Sequence, residues 1–310
     1  MHKKLLTEQQ LKKVTKLHYS QFYLGILLLC VLAALVNIDI PEDYLIVGLA
    51  IAVTLLGLPH GALDFAVAKS LKLFSTTLHA VYFIVAYSVI AALSIVFWLN
   101  FPASALTIFL CVSIYHFSAD WRTSMPEYAR ISLAAIVICG PAMTFSSLVL
   151  PLFTALLLST ETAGFLIQGM RVMFCISLLG FLYFLVKMEN FNKTFPKWQF
   201  AEWMSLLVSS LVFTPLLHFG LYFCLLHSPK HLHDVSKTLN ITLTKAIIIS
   251  VPFVLLTLLL AATLYIGFTS SGNAIEINTA LLRWVFIGLF GLTMSHMLLI
   301  SAWHRVNVGD

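Results

Sequence analysis

Long apolar runs recur along almost the whole chain, at 20–37, 44–66, 78–99, 103–119, 129–158, 164–187, 200–214, 216–236, 245–268 and 281–303. A hydrocarbon core about 30 Å thick takes roughly 20 apolar residues of α-helix, and helix satisfies every backbone N–H and C=O within one segment. Such runs dictate an all-α fold, a polytopic transmembrane helix bundle. Composition agrees, with 60% hydrophobic and only 10% charged residues. A soluble domain carries about a quarter charged residues, so a water-coated globule is excluded.

Charge placement sets the expected topology. Lys3, Lys4, Lys12, Lys13 and Lys16 precede the first run and mark 1–20 as a cytoplasmic N-terminal tail. Asp39, Glu42 and Asp43 then fall outside, while Lys69, Lys72, Arg122, Arg130, Lys187, Lys193 and Lys197 fall inside. The run 200–214 is short and ends at Pro215; it is either its own crossing or the first half of a kinked helix reaching His233. As its own crossing it puts Lys230, Lys237 and Lys245 inside as well. The expectation is about ten spans, with nine as the alternative, and both termini cytoplasmic in a multi-pass cell-membrane protein. Residues 21–304 form one transmembrane domain and 305–310 a C-terminal tail. The net charge of +5 is explained by inter-helix loops, so no nucleic-acid partner is expected. The five cysteines lie inside apolar runs without CxxC spacing, which indicates neither a disulfide framework nor a zinc knuckle.

Ionisable groups inside hydrocarbon need a partner or a job. Four motifs carry them: Gly57-Leu58-Pro59-His60-Gly61-Ala62-Leu63-Asp64, Tyr115-His116-Phe117-Ser118-Ala119-Asp120, His227-Ser228-Pro229-Lys230-His231 and Ser295-His296-Met297. In the ten-span topology these helices run parallel, so His60, His116 and His227 converge at one depth, where a metal could sit. His227 and His231 share a helix face one turn apart. Pro229 between them frees the Leu225 carbonyl and predicts a local kink. Asp64, Asp120 and Asp234 follow His60, His116 and His231 by three or four residues and are candidates to accept an imidazole N–H from behind the metal. His296 is held as a further candidate around the ligands. His18, His79, His218 and His304 read as helix-packing hydrogen bonders or interfacial residues.

These motifs resemble the Brp/Blh family of membrane β-carotene 15,15′-dioxygenases. The resemblance implies Fe(2+)-dependent cleavage of β-carotene by O2 at the central double bond, giving two all-trans-retinals in a membrane such as the cell inner membrane, with a microbial rhodopsin as recipient. It carries the family's four metal ligands over to His60, His116, His227 and His231, and makes 21–304 a catalytic domain. Neutral imidazoles suit Fe(II), and a site with open positions can take O2. Tyr115, Phe117, Trp121, Tyr222 and Phe223 are the candidate neighbours of a polyene in an apolar tunnel.

Other readings stay open: a related membrane lipid or carotenoid oxygenase with another substrate, or a carotenoid- or retinal-binding or transport protein. A di-iron desaturase would need HxxHH boxes, which the chain lacks. A transporter predicts paired inverted repeats, and the sequence shows no such symmetry.

Overall fold

The computed structural model describes residues 41–190, 197–269 and 274–308. The expected N-terminal tail, the apolar run 20–37 and residues 309–310 lie outside the described residues. Within them the chain is helical, with no strand.

Helix α1 (Glu42–Ala52) passes through a π-helical turn (Val53–Gly57) into α2 (Leu58–Gly61) and α3 (Asp64–Ser70). Then come α4 (Thr77–Asn100), α5 (Pro102–Ser118), α6 (Glu127–Thr144), α7 (Ser146–Ala155), α8 (Thr160–Asn190) and α9 (Lys197–Val212). Helix α10 (Pro215–Leu221) runs through a second π-helical segment (Tyr222–His227) into α11 (Ser228–Thr238), followed by α12 (Leu243–Thr269) and α13 (Ala274–Val308). The last helix reaches Val308, so the expected C-terminal tail is helical as far as it is described.

Among the described residues, α4, α5, α8 and α13 are long and apolar enough to cross a membrane. Two bent pairs raise the number to six if each is one span: α6 and α7 meet at 105°, and the helix from Pro215 to Thr238 meets α12 at 116°. Among the described residues, which hold nine of the ten expected runs, helix length and composition thus support four to six crossings rather than one per run. The reason is physical: an apolar run scores the same whether its helix is straight or folded back. The run 129–158 turns at Phe145, and 44–66 is interrupted by its π turn and a break after Gly61. The run 200–214 forms α9, only 16 residues long, just short of a full crossing at about 17–25 residues. Thr214 is extended (φ −56°, ψ 152°), as a residue before proline prefers, so α9 and α10 are separate helices rather than one kinked helix.

Helix α6 packs on α8, α9 and α5, while α13 packs on α4. Where α4, α5 and α13 meet, Trp98, Phe109 and Phe290 are buried and edge-to-face, with ring centroids 5.1–6.0 Å apart. Such aromatic contacts add about 0.5–1.5 kcal/mol per pair beyond area burial. This aromatic knot joins α5 and α13, the helices that carry His116 and His296, to α4.

Candidate metal centre and apolar cavity

Two prolines shape the site. Pro59 and Pro229 have no N–H, so the bonds to the Leu55 and Leu225 carbonyls are lost and the ring crowds the preceding turn. In both places the backbone widens into a π-helical turn just before the proline, Val53–Gly57 and Tyr222–His227. The kink expected at Pro229 thus takes the form of a π turn, a feature frequent at functional sites. The two turns pack on each other. Ser228 Oγ, at the start of α11 just after the second turn, donates to the Leu56 carbonyl at 2.5 Å and reaches the Gly57 carbonyl at 3.1 Å.

Past these turns the histidines gather. His116 from α5, His231 from α11 and His296 from α13 each bring a ring nitrogen within 4.8 Å of the others. His231 Nε2 and His296 Nε2 are 3.2 Å apart, close to the roughly 3.0–3.4 Å that two imidazoles about 2.1 Å from one ion would show. His227 adjoins them, its ring centroid 4.8 Å from that of His116 and 6.1 Å from that of His231. His60 lies on α2, but its side chain is outside the described residues. The residues present therefore fit a metal ion held by imidazoles.

Each of two carboxylates orients one of these rings. Asp64 takes His296 Nδ1 at 2.9 Å, and Asp120 takes His227 Nδ1 at 3.1 Å. A carboxylate on Nδ1 fixes the tautomer with the lone pair on Nε2 and raises ring basicity. The sequence spacing pointed to the histidine one turn earlier on the same helix; the described partner comes instead from another helix in both cases. Burial drives this, because a carboxylate within the bundle takes whichever N–H the packing brings to it. Asp234 is exposed, and among the described residues its carboxylate makes no hydrogen bond to a histidine.

Each carboxylate also accepts a tyrosine hydroxyl, Tyr87 on Asp64 at 2.7 Å and Tyr222 on Asp120 at 2.8 Å. Tyr87 escaped the sequence reading, since it is one of two tyrosines in the apolar run 78–99 and stands in none of the histidine motifs. Lys230 Nζ donates to the Asp120 carbonyl and lies 5.9 Å from the Trp121 ring centroid. Trp121 Nε1 donates to Glu202 at 2.8 Å. Away from the cluster, His218 is buried with Nε2 2.9 Å from the Val137 carbonyl, the helix-packing role expected of it.

A cavity of ≈ 430 Å³ meets the cluster; His116, His296 and Asp64 are the ionisable residues of the cluster that line it, and aromatic rings make much of the rest. A smaller one of ≈ 120 Å³ lies across a wall made by Phe109, Ser113, Phe117 and Phe219, which line both. Of the expected polyene neighbours, Phe117 lines both cavities, Phe223 the larger and Tyr222 the smaller. Two of the expected neighbours lie elsewhere. Tyr115 is 51% exposed and lines neither cavity, because it points off the outer face of α5. Trp121 also lines neither, being fully buried against Tyr222 and Glu202.

The family model for Beta-carotene 15,15′-dioxygenase matches residues 51–304. Among curated proteins, the Beta-carotene 15,15′-dioxygenase of Uncultured marine bacterium 66A03 is 30% identical over 262 residues, which cover 80% of this chain and 90% of the relative. No solved structure gives a significant match. The family match spans every histidine of the cluster, both carboxylates and both π turns, and the chain belongs to the Beta-carotene 15,15′-dioxygenase family.

Proposed function

We propose that this chain cleaves β-carotene at the central 15,15′ double bond with O2, giving two all-trans-retinals, at an iron centre held by imidazoles. The observation that carries this reading is the trio His116, His231 and His296, whose ring nitrogens come together beside a largely apolar cavity that His116 and His296 line. His227 and His60 are assigned as the further imidazoles. Compared with the ligand set inferred from the sequence, His296 joins the ligands, because its ring nitrogen is among the three brought together.

Fe(II) bound there would supply the electron chemistry that lets O2 react with a carbon–carbon double bond. The chain's own residues do the rest. Asp64 and Asp120 hold His296 and His227 in the tautomer that presents Nε2, and their negative charges offset a dication in a low-dielectric site. Tyr87 and Tyr222 satisfy the remaining carboxylate lone pairs and lock both rings. Phe117 and Phe223 wall the cavity and keep the polyene in register, while burial excludes water. One polyene and one O2 balance two aldehydes, so no other reductant is required.

The membrane setting suits the substrate, since a carotenoid dissolves in hydrocarbon. In this reading all ten apolar segments cross or enter the bilayer, residues 21–304 form the catalytic domain, and both termini face the cytoplasm. The retinal formed would then be available to a microbial rhodopsin. Expression in cells that accumulate β-carotene tests the proposal: the cells should bleach and yield retinal. Unchanged pigment with no retinal would overturn it.

A further inference from the structure

The larger cavity is not closed off from the surroundings of the bundle. Ile84 on α4 and Phe253 and Leu256 on α12 all line it, yet are 50%, 49% and 55% exposed. Side chains that face both a cavity and the outside mark its mouth. Helices α4 and α12 each pack on α13 but share almost no direct contact among the described residues. A slit is left between them, with α13 as its floor; Leu292 and Thr293 of that helix line the cavity too.

The large side chains at this mouth are apolar. Thr257, one of the small polar residues there, returns its hydroxyl to the Phe253 carbonyl at 2.9 Å and offers little to water. Helix α4 is among those long and apolar enough to cross a membrane, and α12 belongs to one of the bent pairs. An opening between such helices faces hydrocarbon. Just inside, aromatic rings lead inward: Phe65 lies 6.3 Å from Phe83, and Phe83 lies 5.9 Å from Tyr87. Tyr87 bonds Asp64, which bonds His296. The rings thus lead from the lipid-facing surface to the histidine cluster without a charged side chain at the rim.

We propose that the slit between α4 and α12 is the lateral entrance through which a long apolar polyene passes from the bilayer to the histidine cluster, with Ile84 and Leu256 on its two lips controlling passage. The inference rests on the reading of the cluster as a carotenoid-cleaving centre. Bulk added to either lip narrows the slit without touching a residue of that centre, whereas trimming Leu256 widens it.

The test uses the full-length, metal-loaded protein reconstituted in vesicles that contain β-carotene. Wild type is compared with Ile84→Phe, Leu256→Phe and Leu256→Ala, and with Leu179→Phe, a change at an exposed apolar position of α8 outside the cavity. Two quantities are read separately: the rate at which pigment becomes protein-bound, and KM against kcat for retinal formation. Both Phe variants should slow uptake and raise KM several-fold with kcat and metal content unchanged. Leu256→Ala should speed uptake, and Leu179→Phe should behave as wild type. Uptake and KM unchanged in all lip variants would overturn the entrance. If wild type takes up β-carotene with this lip dependence but forms no retinal, the cleavage reading fails and the entrance stands. A wild type that takes up no pigment would remove the entrance.

Discussion

His296 and Asp64 stand 232 positions apart, yet Nδ1 of the imidazole lies 2.9 Å from both carboxylate oxygens. The same relation joins His227 to Asp120 across 107 positions. Two rings of one cluster are therefore aimed by carboxylates contributed from other helices.

Replacing either carboxylate by its amide keeps the shape and removes the charge that polarises the imidazole. Asp64→Asn and Asp120→Asn should each lower metal affinity or turnover by roughly 10–100-fold. Metal titration of the purified variants checks this. Unchanged affinity and turnover in both would reduce the carboxylates to packing groups.

Two buried histidines should respond differently to removal. His296→Ala takes a nitrogen from the cluster and should abolish bound metal and retinal formation together. His218→Ala removes the contact to the Val137 carbonyl and should lower stability by about 1–3 kcal/mol with metal content intact. Metal analysis beside thermal unfolding separates the two. Full metal content in His296→Ala would exclude it as a ligand.

Gly57 faces the Phe223 ring so closely that an added Cβ would lie 2.6 Å from Phe223 Cε1. The obstacle is a ring rather than backbone, so the ring has to shift, at a cost of about 1–3 kcal/mol. Phe223 lines the larger cavity, and Gly57→Ala should therefore lower Tm and raise KM for β-carotene together. A change in Tm alone would show that the ring does not touch substrate.

Metal removal should loosen the bundle. A ligand that binds only the folded state stabilises it by about 2.7 kcal/mol at a hundredfold excess over Kd, so chelation should lower Tm and added Fe(2+) should restore it. The same experiment on an Asp64→Asn, Asp120→Asn double variant should show a much smaller shift. An identical Tm with and without chelator in wild type would argue against a structural hold of metal by these residues.

Much of the molecule was written in the chain itself. Apolar runs fix helix as the conformation, because backbone polar groups in hydrocarbon have no other partner, and nearly all the described runs became helices. The proline at 229 announces a distortion beside its histidines, since a missing N–H acts locally. Histidines within apolar runs mark the chemistry, because placing them there is costly without a partner. Tertiary structure decided what local spacing could not. Whether a run crosses straight or turns back, as at Phe145, depends on packing against neighbouring helices. Which carboxylate serves which imidazole, that His296 belongs to the cluster, that Tyr87 supports it and that Tyr115 faces away are contacts between distant segments. Hydrophobicity is a property of each residue and survives in one dimension. The pairing of buried polar groups is a property of the assembled bundle and exists only in three.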